Sequence, residues 1–139
     1  MSSLMRNIFF FVLLTYSSVS ITQGYCVTRT WQIYVINVIP EDIVVHIKSR
    51  DDDLGNHTIS SKGNYNWSFC EDVFGRTRFY GNFWWGSDFQ NLALFDNEVR
   101  GVCAPSKQDY NYCYWSVSPN GFWVSAHQDG GWVLKKTWK

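Results

Sequence analysis

Apolar and polar residues alternate in short runs along most of the chain after residue 30. In the clearest run, residues 64–69, Tyr65, Trp67 and Phe69 take the odd positions and polar residues take the even ones. Because successive side chains of a strand point to opposite faces, this run predicts a half-buried strand with three rings on one side. Burial of each ring would contribute about 1.5–3 kcal/mol, so we expect this strand to anchor the core.

Other runs of β-branched and aromatic residues, separated by Gly, Asn, Asp and Pro, predict the remaining strands. These runs are residues 31–38, 43–49, 57–60, 78–85, 91–96, 112–118, 122–127 and 132–138. Turns are expected at residues 51–56, 62–64, 86–88 and 119–121. The last is a hairpin signal, because Asn120 and Gly121 both tolerate positive φ. No segment of ten or more residues has a helical period, so seven to nine short strands predict an all-β antiparallel sandwich or barrel.

The first 24 residues have the pattern of a secretory signal peptide. Arg6 precedes the seven-residue apolar run Ile8–Leu14, and small and polar residues follow it. A retained membrane anchor is the alternative, but the run is less than half of the about 20 residues that a spanning helix needs. We therefore expect cleavage after Ser20 or after Gly24, and a folded domain of residues 25–139.

The charge balance argues against two classes of partner. Cleavage at either position removes Arg6 and leaves 11 of the 12 basic residues against 12 acidic ones, a net charge of about −1. This balance gives no electrostatic footprint for nucleic acid or for an anionic membrane surface. We expect no nucleic-acid partner and, since no second apolar run approaches spanning length, no direct membrane insertion.

Four cysteines, Cys26, Cys70, Cys103 and Cys113, lie beyond both cleavage positions. An even number in a small exported domain favours disulfides over metal or redox chemistry. Spacing leaves all three possible pairings open, and no C-x-x-C pair suggests a zinc or redox site. The cysteines therefore predict two bridges whose partners the spacing does not select.

Three consecutive aspartates, Asp51, Asp52 and Asp53, invite comparison with a calcium-binding loop. In an EF-hand loop that begins at Asp51, Asn56 would take the sixth position and Lys62 the twelfth, where calcium loops carry Gly and Glu. The spacing fails twice, so a solvated turn is expected. We expect neither a metal nor a cofactor.

Catalytic patterns are weak throughout the chain. The histidines that could act as acid–base groups are His46, His57 and His127. His46 falls on the polar face of its strand, and His57 follows the acidic turn, which is a poor setting for a phosphate substrate. The sequence has no Gly-x-Ser-x-Gly nucleophile elbow and no recognisable pair of acids for glycoside hydrolysis. We therefore expect no catalytic residues and a protein that is not an enzyme.

The aromatic run Phe79–Trp85 could form a sugar-stacking platform if its even face, with Tyr80 and Trp84, is exposed. Packing on both faces of an inner strand would explain the same run without a ligand. A secreted carbohydrate-binding module of the cell wall is therefore one alternative function.

Two N-x-S/T motifs, at Asn56 and Asn66, are candidate glycosylation acceptors. Asn56 falls in a predicted turn. Asn66 falls on the polar face of its strand, so both positions are expected to be accessible.

Several stretches, in order along the chain, resemble the plant self-incompatibility protein family, also called S-protein homologues. The most specific is V-H-I-K-S-R-D-D-D-L-G-N-H at 45–57, which is similar to the family's V-H-C-K-S-K-D-D-D-L-G-x-H. The others are Y-N-W-S-F at 65–69, F-G-R-T at 74–77, F-Y-G-N-F-W-W at 79–85, and C-Y-W-S-V at 113–117 before G-F at 121–122. The resemblance extends from about Trp31 to the C-terminus.

Two cysteines that are usual in this family are absent, because Ile47 and Gly81 stand in their places. Their joint absence fits the loss of one bridge between two strands. The resemblance implies that Cys103 pairs with Cys113, as the family's second bridge, and it leaves Cys26 to pair with Cys70.

The resemblance implies a secreted, extracellular β-sandwich of the two-layer, immunoglobulin-like type, about seven to nine strands, which acts as a signal. The founding members are pistil proteins that a pollen membrane protein recognises in the rejection of self pollen. We expect a monomer that binds a plasma-membrane receptor protein; a small secreted hydrolase or nuclease is a further alternative. Specificity is expected in surface loops, with candidate residues Asp51, Asp52, Asp53, Ser87, Asp88, Lys107, Gln108 and Asp109.

Overall fold

The computed structural model describes residues 26–104 and 109–139. The predicted signal peptide, residues 1–24, and the candidate residues Lys107 and Gln108 lie outside the described residues. The described chain contains nine strands and one helix, here numbered in chain order. They are β1 Thr30–Asn37, β2 Ile43–Ser49, β3 Asp53–Ile59, β4 Asn64–Cys70, β5 Phe79–Trp85, β6 Asp88–Phe95, α1 Asn97–Cys103, β7 Tyr110–Ser118, β8 Gly121–Ser125 and β9 Val133–Lys136.

The strands form two sheets whose inner faces make one core. The first sheet has the order β4-β1-β7-β8-β9 and the second β3-β2-β5-β6. Aromatic contacts cross between the sheets: the ring centroids of Trp31 and Phe95 lie 4.7 Å apart, and those of Phe83 and Phe122 lie 4.9 Å apart. The predicted all-β sandwich with seven to nine strands is confirmed.

One strand pair departs from the expected antiparallel arrangement. β1 pairs with β7 in parallel, from Thr30 opposite Tyr110 to Asn37 opposite Val117. Between β1 and β7 the chain forms all four strands of the second sheet and, in addition, β4 and α1. This segment provides the long connection that a parallel pair of strands requires. All other strand pairs in the described part of the chain are antiparallel.

The predicted turn at residues 51–56 is wrong from residue 53 onward. β3 begins at Asp53 and continues to Ile59, whereas the alternation of the sequence predicted a strand only at 57–60. The polar residues Asp53 and Asn56 pair with β2, and Gly55 adopts a φ of 83° beside a register irregularity at Ile47/Lys48. Pairing with a strong neighbouring strand therefore overrides the weak local strand propensity.

A short helix that the sequence did not predict, α1, joins the two sheets. Asp96 caps it by accepting a hydrogen bond from the Val99 amide at 2.9 Å, and Val99 and Cys103 are buried. Its seven residues are too few to produce a helical period that can be recognised in the sequence.

Two disulfides join Cys26 to Cys70 and Cys103 to Cys113, the pairs that the family resemblance implied. Ile47 of β2 lies directly opposite Gly81 of β5. A Cβ atom built on Gly81 would lie 2.7 Å from Phe83 and 2.8 Å from Leu94. The two positions where the family usually carries cysteines are thus cross-strand neighbours, and apolar side chains fill the space beside them.

Candidate functional site

Two loops meet at one end of the sandwich. The β2–β3 turn, Arg50–Asp52, carries two of the three consecutive aspartates, and the β4–β5 loop, residues 71–78, carries the F-G-R-T motif. Ser49 at the end of β2 pairs with Phe79 at the start of β5, which places the two loops side by side. The loops that contain two of the family-like motifs therefore form one surface.

The β2–β3 turn is held by its own polar groups. The Ser49 amide donates to the Asp52 carbonyl at 2.7 Å, and the Asp52 amide donates to the Ser49 hydroxyl at 3.0 Å. Asp53 Oδ1 accepts from the Gly55 amide at 2.9 Å and lies 2.7 Å from His46 Nε2. The Gly55 amide, and then His46, lower the pKa of Asp53 below its ordinary value. All three aspartates are exposed; Asp51 and Asp52 lie on the turn, and Asp53 is the first residue of β3.

The β4–β5 loop is organised around one carboxylate. Asp72 Oδ2 accepts hydrogen bonds from the amides of Phe74 and Arg76, both at 3.3 Å, and from Arg76 Nε at 2.9 Å. The Asp72 amide donates to the Thr77 hydroxyl at 2.8 Å. Beside it, Arg100 of α1 forms an ion pair with Glu71. These bonds fix the loop although most of its residues contact solvent.

Acidification is expected to loosen this loop. The Arg76 side chain, through its hydrogen bond, holds the pKa of Asp72 below its ordinary value of 3.8. A lowered pKa means that the bonded state is favoured above the ordinary value and is lost as the pH falls through the lowered one. In an NMR titration, the amide signals of Phe74 and Arg76 should move together with a midpoint below 3.8. In Arg76→Gln the midpoint should rise; an unchanged midpoint would contradict the assignment.

The tip of the β4–β5 loop exposes two apolar side chains. Val73 is 67% exposed and Phe74 is 76% exposed, and the Arg76 guanidinium lies 4.9 Å from the centre of the Phe74 ring. An exposed ring beside a guanidinium is typical of protein-binding surfaces. In the sequence, Phe74 stands out only as part of the F-G-R-T motif, and it is not among the predicted recognition residues.

Between the two loops lies an open cleft of about 560 Å³. Phe69 and Phe79 supply apolar surface within it. Its charged residues have mixed sign: Lys48, Arg50, Arg76 and Arg78 against Asp51, Asp52 and Asp72. Such a cleft suits a protein segment with apolar and charged side chains.

The other predicted recognition residues lie in several places. Ser87 is in the β5–β6 turn and Asp88 begins β6, at the end of the sandwich opposite the cleft. Gln90, two residues after the predicted turn at 86–88, is buried and donates to the Thr137 carbonyl. Asp109 lies at the cleft end, where its carbonyl accepts from the Thr30 amide at 2.8 Å.

Both candidate glycosylation acceptors are exposed. Asn56 lies in β3 and not in a turn, opposite His46. Asn66 lies in β4, where its side chain bonds to Gln32 and Asn64 at 2.9 and 2.8 Å. Their occupancy stays a prediction.

The even face of β5 is exposed, which was the condition for a sugar-stacking platform. Tyr80 is 52% exposed and Trp84 is 38% exposed. Trp84 contacts the Phe89 ring at 5.5 Å, whereas Tyr80 lines the cleft between the two loops. The two rings therefore have different neighbours, and a sugar-stacking platform formed by both of them on β5 stays a prediction.

The three histidines do not converge. His57 lies opposite Val45 and stacks on Tyr65 at 3.9 Å, so it faces the other side of the sheet from His46. His127 lies in the β8–β9 loop. Within residues 26–104 and 109–139, no cluster of three or more His, Cys, Asp or Glu side chains is placed to hold a metal ion. In the same residues, no helix has both the length and the apolar character to cross a membrane.

Comparison with known proteins gives consistent family matches. The family model of the plant self-incompatibility protein S1 matches residues 32–138. S-protein homolog 5 of Arabidopsis thaliana is 30% identical over 80 residues, which cover 57% of this chain and 57% of that protein. Self-incompatibility protein S1 of Papaver rhoeas is 26% identical over 132 residues, 92% of this chain and 90% of that protein. The chain thus spans less than two thirds of the first of these relatives and nearly all of the second.

A solved structure of self-incompatibility protein homologues, described as small, highly stable, secreted plant proteins, has a similar fold. It superposes with a TM-score of 0.62 over 81% of this chain and 97% of that chain, at 13% sequence identity. At this identity the likeness supports the fold alone.

Proposed function

The chain belongs to the plant self-incompatibility protein S1 family, and we propose that it is a secreted ligand that binds a receptor protein of the plasma membrane without catalysis. The predicted signal peptide would direct its export, and recognition between pollen and pistil is one setting for such a ligand. The observation that carries the proposal is the exposed Phe74, whose ring lies against Arg76 of the charged cleft.

Three features support this surface as the receptor-binding site. The hydrogen bonds of Asp72 hold the β4–β5 loop before binding, which reduces the entropy cost of association. Phe74 and Val73 supply apolar area, and the cleft beside them supplies charges of both signs. Aromatic residues and Arg are enriched in protein interfaces and their hot spots.

Truncation of the aromatic tip tests the proposal. Phe74→Ala is expected to weaken saturable binding of the labelled protein to plasma membranes of responsive cells by tenfold or more, because hot-spot anchors contribute about 2 kcal/mol or more. Trp84→Ala, which removes a partly exposed ring on the outer face of β5, is the matched control and should bind like the wild type. Equal binding by both variants would place recognition on another surface.

An exchange of loop 71–78 for that of a relative tests specificity separately. The exchanged protein should lose binding to its own cells while its unfolding midpoint stays similar. Retention of full affinity would remove this loop from the proposed site.

A further inference from the structure

A second cleft, of about 700 Å³, lies between β7 and the β8–β9 loop. Its tyrosines take exposed or half-buried positions of β7 and the end of α1 also borders it, whereas the receptor-binding cleft proposed above lies between the β2–β3 turn and the β4–β5 loop. Its size is within the range of pockets that hold small organic ligands, about 300–1,000 Å³. Among the residues that the structure describes, the linings of the two clefts have none in common.

One wall of this second cleft is a row of tyrosines. Tyr110, Tyr112 and Tyr114 alternate with buried residues along β7 and all three line the cleft. Their ring centroids lie 5.2 and 6.4 Å apart, and the last two rings are nearly parallel, at 9°. Outside the lining, Tyr34 of the neighbouring strand β1 stacks beside Tyr114, with ring centroids 5.2 Å apart. Tyr110 and Tyr112 are 46% and 45% exposed, so both residues are accessible to a ligand.

The opposite wall is polar and is held in place. The β8–β9 loop contributes His127, Gln128 and Asp129 to the lining. The buried Ser125 fixes this loop, because its hydroxyl donates to the Gly130 carbonyl at 2.5 Å and accepts from the His127 amide at 3.0 Å. The cleft also borders Cys103, whose disulfide to Cys113 ties α1 to β7. The site is thus built before any ligand binds.

The charges of the lining limit the ligand. Among the lining residues in the described ranges, one is acidic, one is a histidine and none is Lys or Arg. An anionic ligand, such as an acidic sugar polymer or a phosphate, would find no Lys or Arg among these described lining residues. The lining is complementary to an uncharged ligand that has both apolar faces and many hydroxyl groups.

We propose that this cleft binds a linear, neutral oligosaccharide. A pyranose ring has about the size of a phenol ring, presents an apolar C–H face and carries hydroxyls around its edge. Successive sugars can lie against successive tyrosines, while the side chains of the β8–β9 loop and the phenol hydroxyls bond to the sugar hydroxyls. The tyrosine spacing is shorter than the about 9 Å of one polyproline II turn, so the row fits a proline-rich peptide less well.

The test is calorimetric titration of the secreted protein with three probes: cellohexaose, xylohexaose and mannohexaose. At least one should bind saturably, and Tyr112→Ala should weaken that binding by tenfold or more. Tyr112→Phe keeps the ring and should bind within a few-fold of the wild type. Trp84→Ala should leave binding unchanged, and so should Phe74→Ala, which separates this site from the proposed receptor surface.

An NMR titration of the unmodified protein gives a second readout that needs no variant. The ring signals of Tyr110, Tyr112 and Tyr114 should shift with the added oligosaccharide, whereas those of Tyr80 should not. The proposal is overturned if none of the three oligosaccharides binds, if Trp84→Ala weakens binding as much as Tyr112→Ala does, or if only a proline-rich peptide or a hexagalacturonate shifts the tyrosine signals.

Discussion

Replacement of Trp115 by Ala is expected to lower the free energy of unfolding by about 3–5 kcal/mol, the usual cost of deleting a large buried aromatic ring. Trp115 has no exposed surface, and its Nε1 donates to the Leu94 carbonyl at 2.9 Å. Trp115 belongs to β7 in the first sheet and Leu94 to β6 in the second. The substitution therefore removes packing volume and also a hydrogen bond between the two layers of the sandwich.

A comparison of two Trp→Phe substitutions isolates the hydrogen bond. Trp115→Phe keeps most of the ring but leaves the Leu94 carbonyl without its donor, which costs about 1–3 kcal/mol in a buried site. Trp67 is also buried, yet its Nε1 has no hydrogen-bond partner among the described residues. Trp67→Phe removes only packing and should cost less than Trp115→Phe.

Urea unfolding followed by circular dichroism measures all three variants. The midpoints should rank wild type, then Trp67→Phe, then Trp115→Phe, with Trp115→Ala lowest. If Trp115→Phe proved no less stable than Trp67→Phe, the inter-sheet hydrogen bond would contribute nothing measurable. The loss in Trp115→Ala would then come from packing alone.

Strands with a strict alternation could be predicted from the sequence because the signal is local. The rings of Tyr65, Trp67 and Phe69 share the inner side of β4, where Trp67 is buried and the other two pack against the core. The same alternation separates the odd from the even positions of β5, and the odd residues Phe79 and Phe83 are buried. A period of two needs no knowledge of distant residues.

Features that depend on distant partners could not be predicted in this way. The parallel pairing of β1 and β7 joins segments about 80 residues apart, and nothing in either strand specifies the direction of the other. The start of β3 at Asp53 likewise depends on pairing with β2. Local propensity alone favours a turn in that acidic segment.

In the candidate sites, too, some features are visible in the sequence and others only in the structure. Motif spacing marked the segments around Asp51 and Phe74, but only the structure shows that the two loops meet and that Phe74 is exposed beside Arg76. The alternation of tyrosines along β7 is visible in the sequence. The stacking of Tyr34 beside Tyr114 follows from the parallel register of β1 and β7, and so required the structure.

Removal of the longer disulfide, by replacing Cys26 and Cys70 together with Ala, is expected to lower the free energy of unfolding by about 4 kcal/mol. The two residues are 44 positions apart, and in the folded protein β1 already pairs with β4 beside them, with Thr30 opposite Cys70. The folded state can therefore keep its geometry without the bridge. The loss arises mainly because the unfolded chain gains conformational entropy.

The shorter bridge provides the matched comparison. Cys103 and Cys113 are 10 positions apart and both are buried, so their double Ala variant should lose about 3 kcal/mol of loop entropy together with some core packing. Urea unfolding separates the two causes. The m-value, which is the slope of the unfolding free energy against urea concentration, should increase more for the Cys26 and Cys70 variant, because its unfolded chain expands further. A loss below about 1 kcal/mol for the Cys26 and Cys70 variant, with an unchanged slope, would mean that the unfolded chain stays compact without that bridge.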